Sequence, residues 1–237
     1  MLKISNLSKS YKGGKKAVDN LSLEVNSGEI FGFIGHNGAG KTTTIRSIAG
    51  VLDFDEGDIT IDGISIKKDP VSCKKITAYI PDNPDLYEHL SGIGYLNFIG
   101  DIYEVNKFDR ETLIEKYADA FELTSNLGDS ISSYSHGMKQ KLAVIAALIH
   151  RPKLLILDEP FVGLDPKAAH ILKATMAELC KGGSAIFFST HVLEVAEKLC
   201  NKIAIIKNGK LVACGPTHEV KGNNSLEDVF MELLNEQ

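Results

Sequence analysis

The stretch Gly35-His36-Asn37-Gly38-Ala39-Gly40-Lys41-Thr42 reads G-x-x-x-x-G-K-T, and its flanks give that pattern a physical meaning. Before it, Glu29-Ile30-Phe31-Gly32-Phe33-Ile34 is an apolar run of strand length. After it, Thr43 to Leu52 carries Ile45, Ile48 and Leu52 at helical spacing. The predicted local fold is a strand feeding a glycine-rich turn that opens a helix. Glycines let consecutive backbone N–H groups point inward with no Cβ in the way, which makes an anion cradle. The helix N-terminus adds positive dipole behind it. In such a cradle Lys41 neutralises outer phosphates and the Thr42 hydroxyl ligates Mg²⁺. The eight quoted residues and Thr43 are therefore candidate nucleotide contacts.

The rest of the composition is that of an ordinary globular chain: 237 residues, 43% hydrophobic and 24% charged, enough for one large domain or a domain with a subdomain. A formal net charge of −5 argues against a free nucleic-acid binder, which needs clustered Lys and Arg to displace counterions. No apolar stretch approaches the ~18–20 residues that span a bilayer, the longest being Leu142 to Ile149. The opening Met1-Leu2-Lys3-Ile4-Ser5 lacks the long apolar segment of a secretory signal. Cys73, Cys180, Cys200 and Cys214 are scattered without a C-x-x-C pair, so reduced thiols are expected rather than a metal site or disulfide framework.

Along the chain, Leu2 to Ser5 and Ala17 to Val25 read as antiparallel strands joined through a Gly13-Gly14 turn, with Tyr11 in the connection. Asp58 to Gly63 runs into an Asp-Gly hairpin turn, and Ile76 to Ile80 is a strand stopped by Pro81. Residues 86–150 have helical texture, with helices over Ile93 to Tyr103 and Asp109 to Glu122 and a third from about Ser135. Lys153 to Asp158 is a continuous apolar run, which suits a parallel strand covered on both faces. A helix bearing Ile171, Leu172, Met176 and Leu179 follows, then a strand from Ser184 to Ser189 and a helix from Val192 to Leu199. Strands Ile203 to Lys207 and Leu211 to Cys214 flank the turn Asn208-Gly209, and Asn224 with Glu227 is the expected cap of a final helix. The fold class expected is α/β: a mainly parallel P-loop core, an antiparallel β subdomain and an inserted α-helical subdomain. In residue terms, 1–85 and 151–237 form the core with its β subdomain, and 86–150 the insertion.

Leu154-Leu155-Ile156-Leu157-Asp158-Glu159-Pro160 is the second informative stretch. An acid at the carboxyl tip of a buried parallel strand sits where open α/β sheets bind ligands. Asp158 is placed to share Mg²⁺ with Thr42, and Glu159 to activate or orient the attacking water.

Taken together, Tyr11, the P-loop, Tyr134-Ser135-His136-Gly137-Met138-Lys139-Gln140-Lys141, LLILDEP, Gly163-Leu164-Asp165-Pro166 and Ser189-Thr190-His191 resemble the nucleotide-binding subunit of an ABC transporter. The resemblance covers nearly the whole chain. It implies an ATPase in which Tyr11 stacks on adenine and Ser135 and Gly137 cap the γ-phosphate of ATP bound to an opposite subunit. It also implies that His191 hydrogen-bonds the γ-phosphate and steadies Glu159, and that Asp165 belongs to the loop linking the two sites. The partners implied are a second ATPase subunit, identical or different, and an integral membrane permease. The location implied is peripheral, on the cytoplasmic face of the cell membrane.

Three positions depart from the family pattern. The usual Leu-Ser-Gly-Gly-Gln signature is Tyr134-Ser135-His136-Gly137-Met138 here, a form that resembles the branch paired with exporter-type permeases. His36 occupies a variable loop position. Asp82 stands where the family places a Gln; it is one methylene shorter, and an ionised carboxylate cannot donate a hydrogen bond. Asp82 is a candidate metal or water ligand, and Asn83 is the working amide if the loop is shifted by one residue. The segment Pro84 to Leu90, with Leu86, Tyr87 and Leu90 expected at the surface, is a candidate docking surface for the permease. A ribosome- or DNA-directed ATPase would carry a second cassette or long coiled-coil insertions, and neither is present. Intact Glu159 and His191 argue against a non-hydrolysing regulator.

Overall fold

Strands that are apolar at every position must be covered on both faces, and the central sheet of this protein meets that demand. The computed structural model describes residues 1–235. In chain order the elements are β1 (Leu2–Ser10), β2 (Lys16–Val25), β3 (Ile30–Ile34), α1 (Lys41–Ile48), β4 (Glu56–Ile61), β5 (Ile64–Ser65), α2 (Pro70–Lys75) and β6 (Thr77–Ile80). Then come α3 (Gly92–Ile102), α4 (Lys107–Ala120), α5 (His136–Leu148), β7 (Leu154–Asp158), α6 (Pro166–Lys181) and β8 (Ala185–Thr190). The chain closes with α7 (Leu193–Leu199), β9 (Lys202–Lys207), β10 (Lys210–Pro216), α8 (Thr217–Lys221) and α9 (Leu226–Asn235).

A six-stranded sheet has the order β10-β9-β3-β8-β7-β6, parallel except for β10. A four-stranded antiparallel sheet, β2-β1-β4-β5, covers one of its faces. Because side chains alternate across a strand, each apolar run feeds two cores. Phe31, Phe33, Leu154, Ile156 and Phe187 pack toward the antiparallel sheet and α1. Their neighbours Ile30, Ile34, Leu155, Leu157, Ile186 and Phe188 pack into the second core with the helices. Phe31 and Phe187 stack across adjacent strands with ring centroids 5.4 Å apart.

The parallel arrangement decides where the chemistry lies. Ile34 pairs with Thr190 and Asp158 with Ser189, so the carboxyl ends of β3, β7 and β8 finish at one edge of the sheet. The glycine-rich loop, the Asp158-Glu159 pair and His191 all leave from that edge.

Local structure departs from the sequence reading at several points. Helix α1 stops at Ile48 instead of Leu52, because Gly50 takes a left-handed φ of 64° that ends the turn. Strand β1 continues past Ser5 to Ser10 through a register shift beside Asn6, whose φ is 52°. Helix α9 is capped one residue later than expected: Ser225 Oγ accepts from Asp228 N–H at 3.1 Å, and Asp228 Oδ2 accepts from Ser225 N–H at 3.3 Å. Leu86, expected at the surface, is buried at 7% exposure, while Tyr87 is half exposed. The short helices α2 and α8 carry too few residues to show a periodic apolar pattern. Among the described residues no helix is long and apolar enough to cross a membrane.

Candidate functional site

The glycine-rich loop wraps from the end of β3 into α1, and two of its glycines are demanded by close approach. A Cβ on Gly40 would lie 2.3 Å from the Ala17 carbonyl oxygen, and Gly40 also has a left-handed φ of 111°. A Cβ on Gly35 would lie 2.7 Å from the Ile206 carbonyl oxygen. Inside the loop the Lys41 ammonium donates to the Gly35 carbonyl at 2.6 Å and more weakly to that of His36 at 3.4 Å. Burial pushes the Lys41 ammonium down from the usual lysine range, and Glu159 and Asp158 oppose that shift. The lysine therefore braces the loop from within while remaining at its mouth.

The carboxylates sit opposite. Asp158 is buried at the tip of β7, and its Oδ1 accepts the Ser189 hydroxyl at 2.5 Å. The same Ser189 oxygen accepts the Glu159 N–H at 3.1 Å, so one serine orients both acids. Glu159 has a left-handed φ of 49°, a conformation that costs energy in a non-glycine residue and that strained sites retain for geometry. Its Oε1 is 3.8 Å from Lys41 Nζ, and its Oε2 is 3.0 Å from His191 Nδ1. Lys41, Glu159 and His191 thus form a chain across the sheet edge.

These groups open on a cleft of ≈ 500 Å³. Of the loop residues, His36, Asn37, Gly38, Gly40, Lys41, Thr42 and Thr43 line it. Gly35 and Ala39 lie behind: Ala39 is fully buried, and its carbonyl accepts the Gly209 N–H at 2.8 Å. Tyr11, half exposed, also lines the cleft, with its hydroxyl 3.3 Å from Thr43 Oγ1. Asp82 lines the cleft and Asn83 does not, which favours the unshifted alignment of that loop. Asp82→Ala is accordingly expected to cut ATP hydrolysis about tenfold, the scale of one lost charge-assisted hydrogen bond. Asn83→Ala should change it little. Steady-state phosphate release from the two variants checks this, and the reverse pattern would restore the shifted register.

The metal question turns on donor chemistry. Thr42, Asp82 and Asp158 present hard oxygen donors to one cleft, the type Mg²⁺ prefers. Among the described residues, no group of three or more His, Cys, Asp and Glu could hold a metal alone. These donors fit Mg²⁺, an ion that prefers oxygen ligands and is rarely held by protein groups alone.

Ser135, Gly137 and Asp165 do not line this cleft. Ser135 caps α5, its Oγ accepting the Met138 N–H at 3.3 Å. A Cβ on Gly137 would be 3.0 Å from the Gly163 carbonyl, and one on Gly163 would strike the His136 ring. Asp165 caps α6 through the Ala168 N–H at 2.8 Å and pairs with Lys141 at 2.8 Å. The Lys141 ammonium, followed by the Ala168 N–H, holds the Asp165 carboxyl below its usual range. The start of α5 and the start of α6 are therefore locked together. No sequence pattern gives a role to Lys141, Lys12 or Lys15, and Ser189 has none beyond its motif. Their signal is tertiary: Lys141 and Ser189 bond to other elements, and Lys12 and Lys15 reach the cleft from the turn between β1 and β2.

A family described as ABC transporter matches residues 18–162. The ABC-type transporter ATP-binding protein EcsA of Bacillus subtilis is 36% identical over 222 residues, covering 92% of this chain and 90% of its own. The solved structure of an ATP binding subunit of an ABC transporter superposes with a TM-score of 0.95 at 33% identity, covering 99% of this chain and 100% of that one. The ATP-binding cassette MJ0796, solved as a dimer in a post-hydrolysis state bound to ADP and Pi, shares the fold at TM-score 0.82 and 23% identity, with 92% and 99% covered.

Proposed function

Because the chain belongs to the ABC transporter family of ATP-binding proteins, we propose that it is the motor of an exporter, coupling nucleotide-driven pairing of two ATPase subunits to a separate membrane permease. That it is an ATP-binding subunit of the ATPase type follows from the family. Export, the permease, Mg²⁺ and the residue roles are the further reading. The observation that carries it is the single cleft bringing together Tyr11, the P-loop, Asp82, Asp158 and Glu159, with His191 on Glu159.

In this reading Tyr11 stacks on adenine and the residues from Gly35 to Thr43 hold or shape the phosphate cradle. Thr42, Asp158 and Asp82 would hold Mg²⁺, which when bound would offset charge developing on the transferred phosphoryl group. Glu159 accepts a proton from the attacking water, and His191 fixes the carboxylate and reaches for the γ-phosphate. Ser135 and Gly137, away from their own cleft, serve ATP on a second copy or a related subunit, with Asp165 in the loop between. The dimeric post-hydrolysis state named for the cassette MJ0796, with both ADP and Pi bound, supports pairing of two subunits of this fold. The segment 86–150 acts as the inserted helical subdomain against the 1–85 and 151–237 core.

A groove of ≈ 300 Å³ between β6 and α3 and α5 supports docking of the permease. Val51, Ile80, Pro84, Tyr95, Ile99 and Tyr103 line it. Exposed Tyr87 and Phe98 meet edge to face beside it, at 5.4 Å. Such an apolar concavity suits an amphipathic segment of a partner. The protein would then lie on the cytoplasmic face of the membrane, with no nucleic acid involved. The test is ATPase activity with and without vesicles carrying a candidate polytopic permease. Stimulation of the parent is expected, and Val51→Glu, a charge on an exposed groove residue, should reduce it at least about threefold while sparing the unstimulated rate. Equal stimulation of both proteins would remove the groove from the docking role.

A further inference from the structure

The turn that carries Tyr11 also carries charge that the reaction described above leaves unused. Between β1 and β2 the chain reverses over Lys12-Gly13-Gly14-Lys15, and Gly13 and Gly14 take left-handed φ values of 106° and 78°. Tyr11 N–H donates to the Lys15 carbonyl at 3.3 Å, and Gly14 N–H donates to the Tyr11 carbonyl at 3.2 Å. Tyr11, Lys12 and Lys15 therefore belong to one hydrogen-bonded flap, with the Tyr11 hydroxyl 3.3 Å from Thr43 Oγ1 at the start of α1.

The neighbouring lysines are engaged elsewhere: Lys9 pairs with Asp55 at 3.2 Å and Lys16 with Asp19 at 2.7 Å. Lys12 and Lys15 are exposed and line the cleft, and their ammonium groups make no hydrogen bond or ion pair among the described residues. The charge balance of the cleft depends on them. Its lining holds three carboxylates, Asp82, Asp158 and Glu159, against three ammonium groups, Lys12, Lys15 and Lys41. Without the flap, one buried ammonium that already serves the P-loop carbonyls and Glu159 would face three carboxylates. A polyanion would then approach a repulsive mouth.

We propose that Lys12 and Lys15 are nucleotide-capture residues. They draw in the phosphate chain of the incoming nucleotide and contact it at its nucleoside end, beside Thr43, while Tyr11 takes the base. This rests on the reading of the cleft as the ATP site. Two exposed cations acting on a phosphate chain should show chiefly in the association rate and in its salt dependence.

The experiment compares the full chain with Lys12→Gln/Lys15→Gln, measuring Kd and association rate for MgATP, MgADP, AMP and adenosine. At about 50 mM salt the double variant should bind MgATP about tenfold more weakly, and at about 500 mM the gap should narrow to about twofold. The loss should grow with phosphate number and vanish for adenosine. In turnover KM should rise with kcat retained, and Lys12→Arg/Lys15→Arg should restore the parent values. Unchanged MgATP affinity at low salt, or equal losses for adenosine and ATP, would overturn the proposal. Failure of the parent to bind any nucleotide, or parent-like binding by Lys41→Ala, would overturn the reading of the cleft on which it stands.

Discussion

Glu159→Gln is expected to bind ATP as the parent does and to hydrolyse it about 10²-fold more slowly or worse, the scale of losing a general base. The substitution keeps the side chain's length and its contact with His191, 3.0 Å away, but the amide cannot take a proton from water. Asp158 keeps its hydrogen bond from Ser189, and the backbone at Glu159 keeps its own bond to the same serine, so the strained turn is preserved. Removing a carboxylate also lowers like-charge repulsion toward the terminal phosphate of bound ATP. Binding and chemistry should therefore separate cleanly. Single-turnover phosphate release alongside equilibrium ATP binding reads both, and a parent-like rate would remove Glu159 from the catalytic role.

Lys41→Ala should bring hydrolysis to background and weaken ATP binding at least about tenfold, since hydrogen bonds to charged groups are worth ~1.5–3 kcal/mol. Two effects combine. The outer phosphates lose their fixed cation, and the Gly35 and His36 carbonyls lose the ammonium that braces the loop. Glu159 also loses the Lys41 ammonium 3.8 Å from its carboxylate, which makes the cleft more acidic. Phosphate release and nucleotide titration measure these losses, and near-normal turnover would overturn the phosphate assignment.

Much of the fold is legible because the strands state their environment. Ile30 to Ile34 and Leu154 to Leu157 are apolar at nearly every position, which only a sheet covered on both faces accommodates. The Asn208-Gly209 turn is equally plain, since Asn208 and Gly209 take the positive φ values of 50° and 80° that such a hairpin needs. Boundaries are less legible. At α9, Asn224 and Ser225 are both good caps, and the choice falls to Ser225 because Asp228 can answer it reciprocally. Leu86, expected at the surface in the segment Pro84 to Leu90, is folded into the core shared with the helices.

For the site, local motifs locate the P-loop and the acids at β7 because their chemistry is contiguous in the chain. The function of Ser189 is not contiguous. It becomes visible only when β7 and β8 pair in register and place its hydroxyl between Asp158 and Glu159. Lys12 and Lys15 carry no motif, and only the fold of the turn between β1 and β2 brings them to the cleft. Asp165 similarly reads as a loop acid, whereas it caps α6 and holds Lys141 of α5.

The central claim is that ATP, and not ADP, closes two of these subunits on each other. The most direct measurement is the light-scattering mass of purified Glu159→Gln, a chain of 25.8 kDa, alone, with MgADP and with MgATP. The account expects monomer in the first two conditions and a doubled mass with MgATP. Adding Ser135→Arg should abolish that doubling, because its bulk occupies the surface that must meet the opposite ATP. A protein shown to retain ATP yet scattering at the monomer mass, or one that doubles equally with ADP, would contradict it.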